Sequence, residues 1–261
     1  MIETSTGLFE IDKGSNKVFV YIVDMNKYMH YVAQLWHYLS AQEKEQAKGY
    51  YTTSLTAWYV ISHGILRCIL SDYVEQSPES IEFICNNYGK PFLKKNDVQF
   101  NMSHSHNMAC YIVACNCMVG IDIEYYDCTL DITGLSELVL TSSEIKFLAT
   151  LAPRDKHKVF YNLWAKKESL VKAMGQGLFY HVNTIEAWPL IFGDKVVLID
   201  DDSTFKQELY SYALDVGSDY SSFIAVSSKI NEIVYSEIGN QQWRLNKPRV
   251  EHFKLALQEK L

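Results

Sequence analysis

The sequence predicts an α+β fold made of two similar halves, and three observations carry that expectation. Val18 to Asp24 (VFVYIVD) is β-branched and aromatic, the composition of a strand. Helical periodicity runs over Ser54 to Tyr73 and again over Asp155 to Met174. From Val119 the order of strand, helices and strands begins a second time, without residue-level identity between the two copies. The halves are expected over 1–117 and 118–230, with an extension over 231–261 that has helical composition from Arg244 to Leu261, after Pro248. An interface between two such halves is the natural seat of a ligand.

Within the first half, two polar helical stretches follow the opening strand, and Ile81 to Cys85 reads as a second strand. Tyr88-Gly89-Lys90-Pro91 is a turn signal. Phe100 to Ser105 (FNMSHS) reads as a short turn whose hydroxyl, amide and imidazole groups suit an anion, although taken alone the segment is better explained as an ordinary Asn/Ser turn with an exposed histidine. Met108 to Cys117 is apolar enough for a buried strand. The second half opens on the strand VGIDIE (Val119 to Glu124), continues with helices over Ser143 to Thr150 and Asp155 to Met174, and ends in strands near Thr184, Lys195, Gln207 and Ser222. Thr141-Ser142-Ser143-Glu144 has the spacing of a capping box. Gly175-Gln176-Gly177 stops the second long helix with residues that accept positive φ.

With 48% hydrophobic residues the 261-residue chain can bury a substantial core, as one large domain or two of ordinary size. A net charge of -7 leaves no broad basic surface for nucleic-acid phosphates, so nucleic acid is not expected as a partner. No stretch approaches the ~18 uncharged apolar residues of a membrane span, and Met1 to Gly14 carries acids without an apolar run. A soluble, cytoplasmic monomer without membrane contact is the expectation. The six cysteines sit mostly in apolar surroundings and form no CxxC pair, which reads as core packing; Cys115 and Cys117 have no companion pair or spaced histidine to complete a metal site.

The chemistry concentrates in two segments. In VGIDIE the period of two places Ile121 and Ile123 on one face and Asp122 and Glu124 on the other. Like charges so close need either solvent or a cation, and Gly120 clears space where something must approach. On the helix over Asp155 to Met174, Phe160, Leu163, Trp164, Leu170, Val171 and Met174 share an apolar face with Lys167 in its middle. A buried ammonium needs a partner, and a bound phosphate is one solution; a snorkelling stem is another. Glu168 and Lys172, four apart, have the spacing of an ordinary helical ion pair.

In order along the chain, YGKP (Tyr88 to Pro91), FNMSHS (Phe100 to Ser105), VGIDIE (Val119 to Glu124) and FYNLWAKKESLVKAMGQGL (Phe160 to Leu178) resemble the 4'-phosphopantetheinyl transferases of the surfactin-synthetase type, over roughly Tyr51 to Leu178. That resemblance implies two subdomains related by a pseudo-twofold axis, with coenzyme A between them. It implies transfer of phosphopantetheine from coenzyme A to a serine of an apo acyl or peptidyl carrier protein, with release of adenosine 3',5'-bisphosphate, in lipid or secondary-metabolite synthesis. Asp122, Glu124 and Glu168 match the acidic positions around Mg²⁺ or Mn²⁺, an all-oxygen site of the kind those ions take. Lys167 and Lys172 match phosphate-contacting lysines, and Lys90, Ser103 and His104 match positions at the nucleotide end. Among these, Glu168, Lys172 and Asp122 are the implied catalytic set, with Glu168 as ligand, general base or both. Where family members often carry an arginine for the 3'-phosphate, this chain has Trp58, which suits stacking on adenine instead. Two other readings stay open: a coenzyme A-binding protein with weakened or lost transfer, motivated by Trp58, and a nucleoside-triphosphate phosphotransferase, against which the chain lacks any GxxxxGK[ST] loop.

Overall fold

The computed structural model describes residues 16–94, 97–177, 181–189, 194–199, 206–238 and 250–256. The reading of Met1 to Gly14 falls outside them. The chain is mixed α+β. Its first half runs β1 (Lys17–Asp24), α1 (Val32–Tyr38), α2 (Ala41–Lys48), α3 (Thr53–Val74), β2 (Phe83–Cys85), β3 (Pro91–Leu93), β4 (Val98–Ser105) and β5 (Met108–Cys115). It continues through β6 (Val119–Tyr125), α4 (Ile132–Val139), α5 (Ser142–Thr150), α6 (Pro153–Met174), β7 (Asp194–Ile199), β8 (Lys206–Ala213), β9 (Tyr220–Val226), β10 (Glu232–Ile238) and β11 (Val250–Ala256).

Two sheets lie face to face. The first has the order β11-β10-β1-β5-β4, the second the order β6-β9-β8-β7. Alternation along the strands assigns each face. In β1, Tyr21 and Val23 join Ala109, Tyr111 and Val113 of β5 against α3, whereas Val18 and Val20 join Cys110 and Ile112 in a core shared with Ile121, Ile123 and Ile224 of the second sheet. Burying each of these branched side chains contributes roughly 1.5–3 kcal/mol. The far face of the second sheet packs on the C-terminal part of α6 through Leu170, Val171, Leu209 and Ala225. The layers are therefore α3, first sheet, second sheet and α6.

Most expected elements are present, and three differ. The FNMSHS segment is part of strand β4 rather than a turn. The strand expected near Thr184 is a short 3-10 turn, Val182–Thr184. Within the segment Arg244 to Leu261, expected to be helical, residues 250–256 form β11, antiparallel to β10. Helix-forming composition is a weak preference that pairing in a sheet overrides. Because β10 runs parallel to β1, residues from the expected extension complete the first half's sheet.

Gly120 decides how α6 meets the second sheet. A Cβ on it would stand 2.0 Å from the Ser169 carbonyl oxygen and 2.4 Å from the Ala173 nitrogen. Only glycine lets helix and strand backbones approach this closely. Gly175, at φ 72°, then closes α6 in the left-handed conformation, its N–H donating to the Val171 carbonyl at 3.0 Å.

Candidate active site at the β4–β6 seam

Strands β4 and β6 are the facing edges of the two sheets, and a strand edge carries free backbone groups that need partners. Asn101, Ser103 and Ser105, two residues apart on one face of β4, supply them. The Ile121 N–H donates to Asn101 Oδ1 at 2.9 Å and the Tyr125 N–H to Ser105 Oγ at 3.0 Å. The Ser103 hydroxyl donates to Asp122 Oδ1 at 2.8 Å, and the Ser105 hydroxyl to Glu124 Oε2 at 3.2 Å. The seam thus holds two carboxylates at fixed height between the sheets.

The close crossing at Gly120 brings α6 over the same carboxylates. Lys172 Nζ donates to Asp122 Oδ1 at 2.5 Å and to Ser103 Oγ at 2.9 Å. The helical Glu168–Lys172 spacing therefore does not take up this ammonium; a non-local partner does. Asp122 is 3% exposed, and its second oxygen, Oδ2, is buried without a hydrogen-bond partner among the described residues. Leaving a carboxylate oxygen in that state is costly unless a positive charge or donor reaches it.

The neighbouring acids register the same deficit. Burial, then the Asp122 charge, pushes Glu124 up to about 7, against the Ser105 hydrogen bond and Lys172. Burial and Asp122 also raise Glu168, with Lys172 opposing. Three mutually repelling carboxylates, one with an orphaned oxygen, fit a hard divalent cation by donor chemistry. They are not gathered into a finished cage: among the described residues no three His, Cys, Asp or Glu side chains are grouped closely enough to hold a metal ion.

The remaining expected residues separate. Ser103 is in the site. His104 alternates with Ser103 and lies on the opposite face of β4; desolvation, then His63 and Lys172, hold its pKa below the ordinary value against the pull of Asp122. Lys90 Nζ donates to the carbonyls of Val119 at 2.8 Å and Ala173 at 3.1 Å, tying the β2–β3 hairpin to β6 and α6, and burial lowers its pKa to about 8. Trp58, half-buried on α3, lies 6.0 Å from the His106 ring, which stacks on Tyr125 at 4.9 Å.

Lys167 corrects the phosphate expectation. Its ammonium is met by Glu144 at 2.5 Å and by the Val139 carbonyl at 2.7 Å, with both charged side chains fully buried. Burial lowers its pKa and the Glu144 bond opposes this. Glu144 keeps its capping-box role and also accepts from the Ala187 N–H at 2.7 Å, so one carboxylate ties α5, α6 and the 187 segment together. Lys166, equally buried, donates to the carbonyls of Ala187 at 2.8 Å and Pro189 at 3.3 Å. Sequence reasoning passed over Lys166 because its partners are distant carbonyls with no signature of their own.

A family model described as the 4'-phosphopantetheinyl transferase superfamily matches residues 118–216. Over those residues the chain is similar to this superfamily. The match spans β6, α4 to α6, β7 and β8, and so includes Asp122, Glu124, Lys167, Glu168 and Lys172, while Trp58, Lys90, Ser103 and His104 lie before it. Among curated relatives, 4'-phosphopantetheinyl transferase HetI of Nostoc sp. is 33% identical over 144 residues, 54% of this chain and 61% of the relative. The gsp transferase of Aneurinibacillus migulanus is 32% identical over 145 residues, covering 55% of this chain and 60% of its own. Sfp of Bacillus subtilis is 27% identical over 144 residues, 54% and 62% of the two chains. The matched region thus spans about three fifths of these transferases' length. No helix among the described residues is long and apolar enough to cross a membrane.

Proposed function

We propose that this protein transfers the 4'-phosphopantetheine group of coenzyme A to a serine hydroxyl of an apo acyl or peptidyl carrier protein and releases adenosine 3',5'-bisphosphate. The observation that carries the reading is Asp122: buried, bonded on Oδ1 to Lys172 and Ser103, orphaned on Oδ2, and flanked by two carboxyls that it helps to raise. Asp122, Glu124 and Glu168 would hold Mg²⁺ or Mn²⁺, which when bound neutralises charge on the pyrophosphate oxygens.

The chain's own groups have separable tasks. Lys172, standing on Asp122 and Ser103, is positioned to meet an anionic oxygen at the seam. Glu168, whose pKa is raised by burial and Asp122, is the carboxylate suited to accept a hydroxyl proton. The β4–β6 seam keeps these groups at fixed separation, which is the positioning that phosphoryl transfer requires. Lys167 acts from behind, holding α6 through Glu144. The layered arrangement, with one long helix outside each sheet, supports two halves related by a pseudo-twofold axis, with coenzyme A between them.

Release of adenosine 3',5'-bisphosphate from coenzyme A, followed by chromatography with apo carrier protein and Mg²⁺, tests the reading. Release should require both, and Asp122→Asn should abolish it while the variant stays folded. Release independent of carrier protein, or undiminished in Asp122→Asn, contradicts it.

A further inference from the structure

At the open end of β6 and β9 lies a cavity of about 550 Å³ lined by none of the three carboxylates. One wall is the N-terminal half of α6, with Lys158 and Asn162; the other is the β8–β9 turn, with Asp215 and Tyr220; Tyr126 and Ser221 close it below. The cavity adjoins the acidic site. Ser221 is the register partner of Glu124, and Asn162 precedes Glu168 on the same helix by about 9 Å at ~1.5 Å per residue.

Its polar groups are arranged to donate. Asn162 Oδ1 is occupied twice, by the Tyr126 hydroxyl at 3.1 Å and the Ser221 hydroxyl at 2.7 Å, which fixes the amide. Its Nδ2 and the Lys158 ammonium have no partner among the described residues. Asp215, the acid on the facing wall, already accepts from the Gly217 N–H at 3.2 Å. The turns of α6 that lead to the wall carry Arg154, Lys156 and Lys158 with only Asp155 among them, a local basic stretch in a chain of net charge -7. Two free donors, one of them cationic, in a pocket of this size fit a carboxylate side chain.

Position decides whose carboxylate. β6 lies between β4 on one flank and β9 on the other. Ser103, His104 and Trp58 are on the β4 side, and the cavity is on the β9 side. We propose that the cavity receives an acidic side chain of the acceptor protein and thereby seats the acceptor's serine beside Glu124 and Glu168. This rests on the functional reading above.

Asn162→Asp keeps the acceptor for Tyr126 and Ser221 but replaces both N–H donors with an anionic oxygen. Lys158→Gln removes the charge at an exposed position. Each variant is expected to raise the KM for apo carrier protein about tenfold with the KM for coenzyme A unchanged, and Lys158→Gln should flatten the salt dependence of the carrier KM. An unchanged carrier KM in both variants, or a coenzyme A KM that rises in step, overturns the proposal. Titration calorimetry of apo carrier protein without coenzyme A reads the cavity independently of turnover. Binding that Asn162→Asp weakens supports it even where no transfer occurs, an outcome that would sink only the functional reading. Absence of wild-type binding, or binding equal in the variant, overturns the cavity proposal itself.

Discussion

Glu124→Gln is expected to stabilise the cation-free protein at pH 8 and to leave its stability unchanged below the ordinary carboxyl pKa, near pH 3.5. Burial and the Asp122 charge raise the folded-state pKa of Glu124 from an ordinary 4.5 to about 7. Between those values the folded protein holds a proton that the unfolded chain has released, so stability falls as pH rises through that window and stays reduced above it. At ~1.36 kcal/mol per pH unit the shift corresponds to about 3 kcal/mol, and solvent at the partly open seam brings this to about 2 kcal/mol. Glutamine removes the ionisation and keeps an oxygen for the Ser105 hydroxyl, which donates to Glu124 at 3.2 Å. Urea unfolding with a chelator at both pH values measures the difference. A variant no more stable than wild type at pH 8, or equally stabilised at pH 3.5, would refute the electrostatic description of the seam.

Three further outcomes follow from named contacts. Gly120→Ala places a methyl carbon 2.0 Å from the Ser169 carbonyl oxygen and should cost about 3 kcal/mol in thermal or urea unfolding, because neither backbone can yield without parting α6 from β6. Lys167→Met leaves Glu144 buried and uncompensated, an expected loss of about 3–5 kcal/mol; Glu144→Leu in the same chain should recover much of it. If instead Lys167→Met lowered only coenzyme A affinity and left unfolding unchanged, its placement on Glu144 would be wrong. Lys172→Ala should lower kcat roughly 100-fold with an unaltered circular dichroism spectrum, since its head group is partly exposed and among the described residues it bonds to Asp122 and Ser103.

The sequence pattern disclosed what is local. The period of two in VGIDIE placed Asp122 and Glu124 together, the helical period bounded α6 within two residues, and the capping box at Thr141 is present. What it did not disclose depends on contacts between distant segments. Lys167 and Glu144 are 23 positions apart, and nothing near either signals the other. Lys172 finds Asp122 because Gly120 admits α6, a consequence of packing rather than helix spacing. Asn101, Ser103 and Ser105 had the alternation of a strand face, yet their purpose becomes visible only with β6 as a neighbouring free edge. In β11 the propensity of HFKLALQEKL gave the opposite answer to the one that pairing with β10 imposes.

The most direct test is the intact mass of an apo carrier protein after incubation with this protein, saturating coenzyme A and Mg²⁺. A phosphopantetheine adduct on the carrier serine, absent with Asp122→Asn and Glu168→Gln, is the predicted result. No adduct on any of several acyl and peptidyl carriers, with the protein folded, would contradict the assignment.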